Sequence, residues 1–326
     1  MSMTQMFLAT ADSGVNMDEL FKVNLYTGTG SALTINNGID LSGDGGLVWI
    51  SDRSSMTSLT TVLTDTERGT NSQVEATTSQ FSSNTNKLTA FNSNGFTIGT
   101  HADLNTSADT YAAWTFKKAE DFFDIVTYTG NGASSRNISH NLGSAPGMML
   151  VKNYGLNRSW AVYHKGIGAT GYLSLQNDNE ALTSSTRWNN TEPTSTQFTV
   201  STANSVNQSG EDFVAYLFAD TAGMIKCGSW TGDGTGAGRD IDCGFSNGSR
   251  FVLFKQIDGN GPLGWYAFDS ERGITTNNDP MFLWGGSLNG ELPASDIIRP
   301  LSSGFTMYND NFNVSGEKYV FMAIAQ

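Results

Sequence analysis

The run Phe213-Val214-Ala215-Tyr216-Leu217-Phe218 is apolar at every position. A strand of that kind has no solvent face, so it predicts a central strand covered on both sides. Shorter apolar or alternating runs precede it: Phe123 to Tyr128, Arg136 to Ser139, Met148 to Lys152, Trp160 to Tyr163, Tyr172 to Leu175 and Gln197 to Val200. Turn-forming strings such as Gly130-Asn131-Gly132 and Gly143-Ser144-Ala145-Pro146-Gly147 separate many of them. So many short strands within roughly 100 residues suit a two-sheet sandwich or jelly roll.

The pattern recurs. Tyr26-Thr27-Gly28-Thr29-Gly30, Tyr128-Thr129-Gly130-Asn131-Gly132 and Trp230-Thr231-Gly232-Asp233-Gly234 follow one another at an offset of 102 residues. With β-like runs on both sides of the middle copy, each string reads as a hairpin turn whose glycines supply positive φ. The far end repeats as well: Phe96-Thr97, Phe198-Thr199 and Phe305-Thr306, then Asn105-Thr106-Ser107, Asn207-Gln208-Ser209 and Asn313-Val314-Ser315, then an apolar closing strand. The chain is therefore expected to be all-β, with three tandem β-sandwich or jelly-roll-like domains of about 100 residues each. The expected division is an N-terminal segment 1–20 and repeats 21–118, 119–223 and 224–326. The apolar patch Met6-Phe7-Leu8 reads either as a docking segment or as a frayed terminus. The linkers Lys117 to Asp121 and Ala219 to Gly223 are short and are not Gly/Ser tethers, which predicts set geometry between neighbouring units. The third copy gains residues between Gly273 and Phe305, around Asn277-Asn278-Asp279-Pro280 and Trp284-Gly285-Gly286-Ser287, and is expected to have diverged there for a contact.

Composition narrows the function classes. A net charge of -13 with 15% charged residues argues against nucleic acid or an anionic membrane surface as partner. No apolar run is long enough for membrane insertion, and the first residues lack the basic region and apolar core of a signal peptide. Two cysteines, Cys227 and Cys243, are too few for a disulfide framework and point to a reduced, cytoplasmic folding compartment. They flank the third copy's repeated string, so a cross-strand disulfide and two buried thiols are both open.

Candidate chemistry is sparse. His101, His140 and His164 lie in no metal-binding pattern and read as structural. There is no Gly-x-Ser-x-Gly nucleophile elbow, and Gly232 to Gly238 lacks the Lys-Ser/Thr of a phosphate loop. Asp233 and Asp240 offer oxygens to calcium or simply make a polar turn. Asp65-Thr66-Glu67-Arg68-Gly69 returns as Asp269-Ser270-Glu271-Arg272-Gly273, with His164-Lys165-Gly166 near that place in the middle copy. The motif reads as a hydrolase carboxylate pair, a polar ligand site, or a charged turn after a core strand, and the last is preferred. Trp160 and Trp265 hold equivalent strand positions and are expected in the core. Trp188, in Thr186-Arg187-Trp188-Asn189-Asn190, is the candidate surface or ligand contact. No catalytic, cofactor or metal-ligating residue is assigned.

The strings Phe122 to Gly132, Ile138 to Met148 and Pro193 to Thr199 resemble tandem-repeat structural proteins of marine and cyanobacterial tailed phages. The resemblance covers residues 20–326, tightest in the middle copy. It implies a non-enzymatic virion protein, tail- or fibre-associated, assembled in the host cytoplasm. It also implies other virion proteins, further copies of itself, and a host-surface glycan or protein as partners. A capsid decoration protein and a glycan-degrading enzyme of the host envelope are the alternatives. Short linkers between sandwiches lead to the expectation of an extended appendage.

Overall fold

The computed structural model describes residues 16–54, 61–236, 238–259, 263–277, 279–284 and 290–326. Met6-Phe7-Leu8, Ala237, Asn278 and Gly285 to Ser287 lie outside the described residues. The fold is all-β, built of antiparallel sheets. Every sheet stays within one repeat. The first repeat has a sheet ordered Phe21–Thr27, Thr110–Lys117, Gly46–Asp52, Thr61–Asp65, Gln73–Glu75, Phe81–Ser82, and a small sheet of Leu33–Asn36, Gly95–Ile98 and Leu88–Asn92. The second orders Phe123–Thr129, Asp212–Phe218, Met148–Asn153, Ala161–His164, with Arg136–Ser139 on Gln197–Val200 as its small sheet. The third repeats the first, with Ile225–Thr231, Lys318–Ala325, Ser249–Gln256 and Trp265–Asp269 leading its large sheet.

The closing strand lies inside each large sheet. In the first and third repeats its two faces serve different cores, while in the second both faces join the largest cluster. In the first repeat, Ala112, Trp114 and Phe116 point one way and join the largest buried cluster. Tyr111 and Ala113 point the other way, into a private core with Val48, Ile50, Phe96 and Ile98. The third repeat divides likewise: Val320, Met322 and Ile324 against Tyr319, Phe321 and Ala323. The period of two is present, but it separates two cores rather than core from water.

The largest cluster draws on all three repeats. The three units are therefore not sandwiches strung out in a line. Trp114, Tyr216 and Met322 occupy matching places on the closing strands and are all buried. Phe116 and Phe218 meet edge to face at 5.5 Å, and Phe21 packs 5.6 Å from Phe251 of the third repeat. The expected extended arrangement is corrected by that last contact, since repeat three touches repeat one. The physical reason is the second apolar face of each large sheet, which water would otherwise reach.

The repeated Tyr/Trp-Thr-Gly-X-Gly strings are not hairpin turns. The strand before each pairs with the closing strand, while the strand after it pairs in the small sheet. Each string thus carries the chain from one sheet to the other. Its first glycine passes against backbone: a Cβ at Gly28, Gly130 or Gly232 would stand 2.1, 2.1 or 2.0 Å from a carbonyl oxygen. Its second glycine has φ of 69°, 69° or 68° at Gly30, Gly132 and Gly234. The other repeated motif grips this crossing. The buried side-chain oxygen of Asn105, Asn207 or Asn313 accepts from the N–H of Thr29, Asn131 or Asp233, at 2.7, 3.0 and 3.2 Å. Gly132→Ala is expected to cost about 1–2 kcal/mol, the penalty for a left-handed L-residue, read as a lower urea midpoint with an unchanged slope.

Candidate functional site

The acid–base motif closes the strand that follows the first core strand of the large sheet. Asp65, His164 and Asp269 hold the same register position, opposite Leu47, Met148 and Phe251. Each reaches the closing strand of another repeat. The Tyr216 hydroxyl donates to Asp65 Oδ2 at 2.8 Å. His164 Nε2 bonds the Phe321 carbonyl at 3.0 Å. Trp114 Nε1 donates to Asp269 Oδ2 at 3.0 Å. The joints run one to two, two to three and three to one, so head-to-tail contacts from one register position close a ring within one chain.

These joints absorb the groups that looked most like chemistry. Arg68 Nε donates to Asp65 at 2.6 Å and Arg272 Nε to Asp269 at 2.7 Å, with all four side chains at most 1% exposed. Arg68 also donates to the Tyr216 hydroxyl, at 2.8 Å. Burial drives the Tyr216 hydroxyl well above its ordinary range. Glu67 does not pair with Asp65; it faces outward and takes Lys118 at 2.5 Å. The two carboxylates of the motif thus point into different environments, one buried in the joint and one outward.

The tryptophans at equivalent strand positions are joints too. Trp160 Nε1 donates to the Glu75 carbonyl of repeat one at 2.8 Å, and Trp265 Nε1 to the Ser174 carbonyl of repeat two at 2.9 Å. The outer strands of repeat three, Asp279–Trp284 and Gly290–Ser295, stand where repeat one has Gln73–Glu75 and Phe81–Ser82, are longer, and meet repeat one. Trp284 stacks on Trp49 at 4.8 Å, and Arg53 Nε donates to Glu291 at 2.6 Å. The divergence of the last copy therefore serves a contact inside the chain.

The remaining candidates are local. His101 accepts from the Asp103 N–H, and His140 Nε2 lies 3.1 Å from the Thr194 carbonyl. Asp233 caps Thr235 and receives Arg239 within its loop, while Asp240 lies on the strand Arg239–Asp242 and accepts from Thr306 of the paired strand at 2.6 Å, so the two acids have separate local partners. Cys227 and Cys243 are both free and buried, and burial pushes the Cys243 thiol up to about 12.

Trp188 is not a surface contact. It is 1% exposed, edge to face with Tyr163 at 6.2 Å, and its indole N–H donates to the Gly171 carbonyl at 3.1 Å. A polar loop surrounds it in sequence, but the helical turn Ser185–Trp188 swings the ring inward. The residue before it stays out. Arg187 lays its guanidinium 4.0 Å over the Tyr172 ring and lines an open cavity of about 500 Å³ with Arg158, Thr186, Thr202 and Ser205. The cavity wall is braced: the Ser201 N–H bonds the Arg187 carbonyl and the Ala203 N–H the Thr186 carbonyl, each at 2.9 Å.

Residues 16–326 match the family model described as Domain of unknown function (DUF7483). One model thus spans all three repeats, as the shared core does. No curated protein matches the chain.

Proposed function

This chain belongs to the DUF7483 family, and we propose that it is a non-enzymatic structural protein of a tailed-phage virion, associated with the tail or its fibres. One observation carries the reading. The charged motif duplicated between repeats one and three is buried and joins repeat to repeat, as a load-resisting ring requires and an active site does not. The middle repeat, whose strings carry the phage resemblance, keeps the same joint with His164. In this reading the shared core faces inward and the small sheets with their loops face other virion proteins or the host surface. Assembly takes place in the host cytoplasm. Gold-labelled antibody on purified virions is expected at the tail. A label spread over the head would move the protein to the capsid, and no label on particles would sink the reading.

A further inference from the structure

We propose that the cavity beside Trp188 binds an acidic sugar: a saccharide unit carrying one carboxylate or sulfate. The inference does not depend on a place in a virion. Arg53, Arg68, Arg239, Arg250, Arg272 and Arg299 each sit against a carboxylate. Among the described residues, Arg136, Arg158 and Arg187 have none. Two of those three line this one cavity. In a chain of net charge -13, two guanidiniums share an opening without a counter-charge. An oxyanion in that opening would meet guanidinium donors from both.

The wall adds unmet donors. Arg187 Nε and Ser205 Oγ are buried and have no hydrogen-bond partner. Ser205 itself is 8% exposed. Neither neighbouring repeat repeats the arrangement. The first has Asp103 at the place of Ser205, held by Lys87 at 2.7 Å. It also has the His101 side chain, and the third Asn309, where the second has only Ala203. The missing side chain leaves room, and the missing acid leaves the arginines unneutralised.

The rest of the lining selects the carrier. Ser159, Thr186, Thr202 and Asn204 present hydroxyls and an amide, which suit sugar hydroxyls. About 500 Å³ lies in the range of small-molecule sites. The overall negative charge disfavours a densely charged polymer, so the ligand is a single acidic unit on an otherwise neutral glycan.

Isothermal titration with glucuronate, a sulfated glucose, glucose and inorganic sulfate tests this. One of the two acidic sugars is expected to bind at least about tenfold tighter than glucose, and which one does so identifies the acid. Arg158→Glu, at a half-buried loop position, is expected to abolish that binding with an unchanged melting temperature. Arg187→Gln serves as the second variant if the first does not fold. Arg136→Glu, outside the cavity, is expected to bind as the parent does. Acidic sugars binding no better than glucose would overturn the proposal, as would equal weakening by Arg136→Glu. Inorganic sulfate binding as tightly as the sulfated sugar would overturn the saccharide assignment.

Discussion

Asp269→Ala is expected to destabilise the chain by about 3–5 kcal/mol, the cost of leaving a buried ion unpaired. The Arg272 guanidinium is fully buried. It would keep two carbonyls, those of Ala267 at 3.0 Å and Pro280 at 3.2 Å, and the Phe282 ring at 4.3 Å, but no close carboxylate. Glu291 stands 3.9 Å away and is already held by Arg53. Trp114 Nε1 would lose its acceptor at the same time. The damage falls on the joint between repeats three and one, the contact that closes the ring. Removing both charges with Asp269→Leu and Arg272→Met is expected to cost less than the single change, because no ion is then stranded. Urea midpoints for the two variants decide it. A single variant within about 1 kcal/mol of the parent, or a double variant worse than the single, would show that the pair is not what holds the joint.

The strands were legible because burial patterning and turn residues are local. Arg136–Ser139 and Gln197–Val200 have the bounds their sequence pattern suggests. The pairing of those strands was not local. Gly130 and Gly132 look like a hairpin turn by composition, yet the partner of the crossing loop is Asn207, seventy-odd positions on in the chain. The offset of 102 residues showed that Asn207 and Gly130 repeat together, but not that they touch. Trp188 fails for a related reason. Its neighbours in sequence are polar, while its neighbours in space are Tyr163 and the Gly171 carbonyl. The ring of repeats was hidden for the same physical reason that it exists. An apolar closing strand says that both faces are covered, and it cannot say by what. Only the matched chemistry at Asp65, His164 and Asp269 carried a trace of it, as a motif whose middle copy had changed residue type while keeping its task.

That change of residue type makes one joint sensitive to acid. His164 is held in a single neutral tautomer: Nδ1 accepts from the Gly166 N–H at 3.0 Å, and Nε2–H donates to the Phe321 carbonyl. A second proton would have to displace the Gly166 donor from Nδ1. Burial lowers the His164 pKa from 6.5 to about 4. Above pH 6.5 neither the folded nor the unfolded chain holds that proton. Between pH 6.5 and 4 the unfolded chain takes it up and the folded chain refuses it, so stability falls as pH falls. Below pH 4 both states carry it and the loss is complete, at about 3 kcal/mol. Carboxylates and His140 titrate across part of the same range, so the comparison must be with a variant. Gln at position 164 can donate to the Phe321 carbonyl and accept from Gly166 without titrating. The stability difference between the parent and His164→Gln is therefore expected to shift by about 3 kcal/mol in favour of the variant from pH 7 to pH 4. Parallel pH–stability curves for the two proteins would show that the joint does not titrate. A shift of that size on removing His164 would place the acid-sensitive contact between repeats two and three.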